Sequence, residues 1–410
     1  MRIDTFLKNN IIMFCATSIG SFFNLVYQIV MLRILTKEAF ASLNSVISLF
    51  VIVSVPALAF SSMVTKHISA HHAHKKYACL KATWQVLSVH ALVFSLFLFT
   101  VIFLFRHGIN DFLHLSSVNS VVILAAIFFF SGISSVVIGG LQGLEFFIWL
   151  AIITVIGGIL KLSLSVFLVK SIPDGLNAAL LGFLFPTLIT ILLSAWPLRF
   201  LLKGIGKEKI ELKPLYVYIL PVLLVNLSFA LLTNIDMVLA RHFFAQGAQD
   251  YAVAQMIGKI ILSLPGVIYI VMFSRVASLH ALKENSISIL KRSLFFTFFL
   301  SAAAALCFNL FPHVAFGLIA GAVTPQIIIL GRFFSVSMLF FALSNVLFFY
   351  QLSIERYSFI LPLILIGFFE IIAICLFHKS PLWIVCITLM SSLALFLANL
   401  KITFQVARYN

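Results

Sequence analysis

The stretch Leu231-Leu-Thr-Asn-Ile-Asp-Met-Val-Leu-Ala-Arg241 places one carboxylate, Asp236, inside an otherwise apolar helical segment. A charge at bilayer depth costs about 2.5–3.5 kcal/mol on insertion scales, so such residues face a cavity or a partner and mark functional sites. Outward from it, Tyr251-Ala252 follows Arg241, then Lys259 within the next apolar run, then Pro265. The N-terminal part carries a similar order as Arg33, Phe40-Ala41 and Pro56.

The surroundings decide the fold class. The chain has 410 residues, 62% hydrophobic and 10% charged, with 45 Phe and a mean hydropathy of +1.17. Average soluble domains carry about 25% charged residues. A helix crosses a bilayer with roughly 20 apolar residues. Twelve such runs are legible, near 9–32, 39–65, 82–105, 116–140, 146–169, 175–198, 215–240, 251–274, 289–312, 325–350, 357–377 and 381–404. The sequence therefore predicts an all-α integral membrane protein.

The formal charge of +15 is distributed as a topology signal. With both termini placed in the cytoplasm, 18 of the 27 basic residues fall in cytoplasmic segments and six outside, leaving Lys161, Lys259 and Arg332 within helices. That asymmetry predicts an N-in, C-in chain in contact with anionic headgroups. It argues against nucleic acid as a partner. The N-terminal run reads as an uncleaved first helix. The five cysteines form no C-x-x-C pair and predict neither a disulfide framework nor a metal site.

The longest polar connection, Arg199–Pro214, lies near the midpoint. It predicts an N-terminal six-helix bundle over 1–200, a cytoplasmic linker over 201–214 and a C-terminal six-helix bundle over 215–410. The two Arg–aromatic–Pro series suggest that the halves are repeats of one orientation, although insertions are needed to align them. Pro56, Pro186, Pro221, Pro265 and Pro362 fall inside apolar runs and predict kinks. Ser135 and Gly139, and Gly157-Gly158, predict close helix packing.

No G-x-x-x-x-G-K-[ST] phosphate loop occurs, and no long loop holds a soluble acceptor site. These features favour a carrier over an enzyme, with no cofactor. Candidate chemistry rests on Lys161, Asp236, Lys259, Arg332 and Glu370 within helices, and on Arg33, Lys66 and Arg241 at helix ends. The inner set reads either as a hydrated cavity with acids that carry protons, or as static pairs such as Asp236 with Lys259. The end set reads mainly as snorkelling side chains. The tract Lys66-His-Ile-Ser-Ala-His-His-Ala-His-Lys-Lys76 places His67 and His71 at i, i+4, but its lysines repel a cation, and it reads as a solvated loop.

The segments Arg33-Ile-Leu-Thr-Lys-Glu-Ala-Phe-Ala41, Gly140-Leu-Gln-Gly-Leu-Glu-Phe146 and Asn234-Ile-Asp-Met-Val-Leu-Ala240, continuing through Tyr251-Ala252 and Leu264-Pro265, resemble the Wzx-type polysaccharide flippases of the multidrug/oligosaccharidyl-lipid/polysaccharide exporter superfamily. The resemblance implies two six-helix bundles forming a V around a central cavity. It implies translocation of an undecaprenyl-diphosphate-linked oligosaccharide across the inner membrane, for O-antigen or another surface polysaccharide. Membrane lipids and polysaccharide assembly proteins are the implied partners, and a proton or sodium gradient the implied drive. On this reading Arg332, Lys161 and Lys259, then Arg33 and Arg241, hold the diphosphate, and Asp236 and Glu370 couple the ion. A cation-coupled drug or metabolite antiporter of the same superfamily is the alternative, and a membrane glycan polymerase a further one.

Overall fold

A computed structural model of the chain describes residues 2–202, 208, 213–245, 247–282, 284–321 and 323–406. Most of the expected 201–214 linker, with Lys203, Lys207 and Lys209, lies outside the described residues, as do Lys283 and Arg408. The described residues form sixteen α-helices and no strand. The first eight are α1 (Arg2–Ile34), α2 (Lys37–Val53), α3 (Val55–Ala73), α4 (Tyr77–Leu104), α5 (Arg106–Phe112), α6 (Val118–Gly143), α7 (Phe147–Ser171) and α8 (Gly175–Leu202). The second eight are α9 (Lys213–Phe243), α10 (Ala248–Ser263), α11 (Gly266–Ala281), α12 (Ile287–Leu310), α13 (Pro312–Ala320), α14 (Pro325–Ser353), α15 (Ile360–Leu376) and α16 (Pro381–Val406).

The twelve apolar runs map onto these helices singly or as broken pairs. Among the described residues, nine helices are individually long and apolar enough to cross a membrane, and the α2–α3 pair, bent by 41°, makes a tenth span. The runs at 251–274 and 357–377 fold into shorter pieces. The first divides into α10 and α11, of 16 residues each, and the second becomes α15, of 17 residues. Two short helices, α5 and α13, occupy stretches that the sequence reading treats as connections.

Proline chemistry sets the breaks. Pro56 occupies the first turn of α3, where its missing N–H has no partner to lose, and Pro265 separates α10 from α11. Pro186 and Pro221 lie inside α8 and α9 as expected. Pro362 differs: α15 begins at Ile360, so this proline stands in its first turn and interrupts no hydrogen bond.

These breaks expose a repeat in the order of elements. Each series runs as a long helix, a helix broken near a proline, a third helix, a short helix and three more helices. Within the first series α6 packs on α3, α4 and α8; within the second its counterpart α14 packs on α11, α12 and α16. The chain clusters into two compact units, Met1–Leu227 and Ser228–Asn410, dividing within α9.

Several hydroxyls in these helices are satisfied locally. Thr154, Thr187 and Thr233 donate to the carbonyls four residues earlier, the usual device where water is absent. Side chains also cap helix starts. Thr324 Oγ1 accepts from Ile327 N at 3.1 Å and donates to Asp250 Oδ2 at 3.0 Å, so it begins α14 and ties it to α10. Thr324→Ala removes both bonds. A lost cap of this kind costs about 1 kcal/mol, so the unfolding midpoint of the purified protein should fall, whereas Thr324→Ser should hold it near wild type. Large apolar side chains cover the outside: Phe97, Phe299 and Phe369 are all more than half exposed, as suits a lipid-facing surface.

Candidate functional site

Asp236 anchors a buried network within the second unit. It lies on α9 and is fully buried. Tyr251, Gln255 and Lys259 follow each other on α10 at four-residue spacing, which lines them along one helix face. Tyr251 OH donates to Asp236 Oδ2 at 2.9 Å, and Gln255 Nε2 donates to Asp236 Oδ1 at 2.8 Å. Lys259 Nζ donates to Asn234 Oδ1 at 2.8 Å. Asn234 is held in turn by bonds from its amide to Ala230 O and Thr233 Oγ1. Asp236 therefore senses the Lys259 charge without a direct ion pair closing between them. In place of the static Asp236–Lys259 pair considered from sequence, each charge bonds separate neutral groups: Tyr251 and Gln255 for Asp236, Asn234 for Lys259.

Glu370 on α15 completes the arrangement. It is 1% exposed, and among the described residues neither carboxyl oxygen has a hydrogen-bond partner of normal geometry. Its polar neighbours are the hydroxyls of Thr388 and Ser391 on α16, and it senses the charge of Asp236. Thr388 spends its own proton on Ile384 O at 3.1 Å. Two buried carboxyls thus share one region, one bonded by Tyr251 and Gln255 and one beside two hydroxyls.

The first unit holds a different constellation. Lys161 on α7 donates to Asn24 Oδ1 on α1 at 2.8 Å. Its ammonium lies 4.3 Å from the Tyr27 ring centre on α1 and 4.2 Å from that of Phe183 on α8.

The remaining candidates separate from both clusters. Arg332 lies about 10 Å along α14 by helical rise, on an exposed position. Its Nη2 donates to Asn309 O in the last turn of α12 at 3.3 Å, while Asn309 Nδ2 donates to Ser335 Oγ at 2.8 Å. These bonds staple α12 to α14. Arg33 is exposed in the last turn of α1. Arg241 corrects the snorkelling expectation: it is 1% exposed, and its guanidinium donates to Ala245 O just past the end of α9. A cation there complements the helix dipole. Among the described residues no group of three or more potential ligands around the histidine tract could hold a metal ion.

The repeat shows which half carries charge. Counting back five residues from Arg33 and from Arg241 pairs Gln28 with Asp236. Counting four and eight forward from Phe40 and from Tyr251 pairs Asn44 with Gln255 and Ser48 with Lys259. The first unit thus has an uncharged version of the same pattern. Sequence reading alone missed Gln255, Asn234, Thr388 and Ser391 as partners. The four-residue spacing from Tyr251 to Lys259 is the one signal that pointed to Gln255.

Comparison with known proteins places the chain. The sequence profile of the family described as polysaccharide biosynthesis protein matches residues 6–277, more than half of the chain. The chain belongs to this family. No curated protein matches it at significance. Among solved structures, this polysaccharide biosynthesis family member is similar to an inward-facing MATE multidrug resistance transporter of the MOP superfamily, with a TM-score of 0.74 and 15% identity over 95% of this chain and 96% of that one. It is similar to the lipid II flippase MurJ in an inward closed conformation, with a TM-score of 0.71 and 16% identity over 94% and 86%. It is also similar to the Vibrio cholerae MATE transporter VcmN, with a TM-score of 0.68 and 11% identity over 97% and 95%. These identities speak for the fold. The family member is an all-α, multi-pass membrane protein with the fold of those transporters.

Proposed function

We propose that this family member is a transporter that flips an undecaprenyl-diphosphate-linked oligosaccharide repeat unit from the cytoplasmic to the outer leaflet of the inner membrane, for O-antigen or another surface polysaccharide. It works by alternating access, driven by a proton or sodium gradient through Asp236 and Glu370. The observation that carries the reading is the buried carboxyl pair, Asp236 in its network and Glu370 beside the Thr388 and Ser391 hydroxyls, inside a polysaccharide biosynthesis family member. Burying two acids with one nearby lysine is unfavourable unless a cation exchanges there. The glycan and diphosphate cannot enter hydrocarbon, and cationic side chains supply charge-assisted bonds to phosphate. The fold likeness to a lipid II flippase supports the same class of cargo.

The test is translocation of a labelled polyprenyl-diphosphate oligosaccharide in proteoliposomes carrying an imposed ion gradient. Protein-dependent, gradient-stimulated movement is expected. Transport of organic cations with none of the lipid-linked sugar would assign the protein to the antiporters. Glu370→Gln should retain membrane insertion and any downhill flipping while losing the response to the gradient. Gradient stimulation equal to wild type in this variant would remove Glu370 from the coupling.

A further inference from the structure

We infer that Lys161 is a phosphate seat in the first unit: an ammonium held, among the described residues, by neutral groups alone, to which an anionic phosphate oxygen binds. The inference rests on the flippase reading for the identity of the anion, and on geometry for the site.

The sequence builds the seat locally. Gly157 and Gly158 stand one turn before Lys161 on α7. A Cβ at Gly157 would meet Thr190 Cγ2 of α8 at 3.2 Å, and one at Gly158 would meet Phe23 Cβ of α1 at 3.0 Å. The two glycines therefore let α8 and α1 close on α7, and this brings Phe183, Tyr27 and Asn24 around the ammonium. Tyr27 is fully buried, Phe183 and Lys161 are half-buried, and Asn24 is exposed. The two rings lie against the ammonium, and the exposed Asn24 amide accepts from it.

The charge of Lys161 stays uncancelled. Two ring faces attract a cation through their quadrupoles but carry no net charge. Asn24 accepts one of the three ammonium protons, and among the described residues no carboxylate pairs with Lys161. The other candidate cations differ. Lys259 bonds Asn234 and has the Asp236 carboxylate as an electrostatic partner; Arg241 is buried against the end of α9; Arg332 binds the last turn of α12. A lysine is a point charge with freely turning donors, suited to phosphate. An unneutralised cation at membrane depth is unfavourable until an anion joins it. Two sources present that chemistry, the diphosphate of a polyprenyl carrier and the headgroup of an anionic phospholipid, and the flippase reading selects the first.

The experiment uses full-length protein purified in a neutral detergent, with the ligand-induced rise in unfolding temperature as readout. The probes are farnesyl diphosphate, inorganic pyrophosphate, phosphatidylglycerol and, as the uncharged comparator, farnesol. Farnesyl diphosphate and pyrophosphate are expected to stabilise the wild type, and farnesol is not. Lys161→Met should weaken diphosphate binding about tenfold or more, as for the loss of one charge-assisted bond, and Lys161→Arg should keep most of it. Asn24→Asp leaves the lysine in place but supplies the missing carboxylate, so it too should weaken binding, and it carries the test should Lys161→Met fail to fold. Wild-type diphosphate affinity in both Lys161→Met and Asn24→Asp would overturn the seat, even in a protein that flips its substrate. Phosphatidylglycerol binding at least as tight as farnesyl diphosphate, and equally dependent on Lys161, would overturn its assignment to the carrier. Lys161-dependent diphosphate binding in a protein that translocates no lipid-linked sugar would uphold the seat and sink the flippase reading alone.

Discussion

Asp236→Asn should reduce gradient-driven transport below about one tenth of wild type, a change of about 1.4 kcal/mol or more in the driven step, while membrane abundance holds. The new amide keeps the shape of the carboxylate and can still accept from Gln255 Nε2 or Tyr251 OH, which now bond Asp236 at 2.8 and 2.9 Å. What disappears is the charge that an exchanging cation requires. Lys259 loses its electrostatic partner but keeps its bond to Asn234 Oδ1, so the fold should survive. A second variant separates coupling from architecture. If Asp236 served only to balance Lys259, the neutral double variant Asp236→Asn with Lys259→Met would recover transport, because no unbalanced charge would remain. The coupling role predicts that the double variant folds, inserts and stays inactive. Recovery to near wild-type rates would make the network a structural one.

Gly139→Leu should be the most damaging change outside the charged network. A Cβ at Gly139 of α6 would stand 2.7 Å from the backbone carbonyl of Ser61 and 2.8 Å from Val64 Cβ on α3. One turn later, a Cβ at Gly143 would meet Ile68 Cβ at 2.7 Å. Ser135, Gly139 and Gly143 thus form the stripe along which α3 and α6 approach, and in a bilayer this packing holds helices together without a hydrophobic driving force. A backbone carbonyl cannot turn aside as a flexible side chain can. Overpacking of this kind costs about 1–3 kcal/mol, read as a lower unfolding midpoint and less folded protein in detergent. Gly108→Leu is the matched control, since a Cβ there meets nothing within 4 Å. Equal losses in the two variants would show that the stripe is not the reason.

The helices were legible because a bilayer admits few solutions. A backbone without water must satisfy its own hydrogen bonds, so an apolar run of sufficient length becomes a helix whatever its neighbours do. All the runs from 9–32 to 381–404 therefore reappear as helices or broken pairs. Pro56 and Pro265 carried their message for the same local reason, through a missing N–H. Pro362 did not, because its effect depends on where α15 begins, and neighbouring helices help set that start. The short α5 and α13 were missed because fewer than ten residues give too little periodicity to read.

The sequence by itself determined that Asp236, Lys259, Glu370 and Lys161 are costly at membrane depth, since that cost depends on the residue and the solvent alone. Their partners were decided by the tertiary structure. Asp236 and Lys259 could have closed an ion pair; instead Asn234, Gln255 and Tyr251 stand around them, because α9 packs on α10 in a register that no linear spacing states. Arg241 looked like a residue reaching for water, and the fold buries it against Ala245. Lys161 and Arg332 looked alike as cations within helices. Packing gave one a cage of neutral groups and the other a helix end to hold. Charge is a property of the residue, but whether it is cancelled depends on groups brought within a few ångströms from distant parts of the chain.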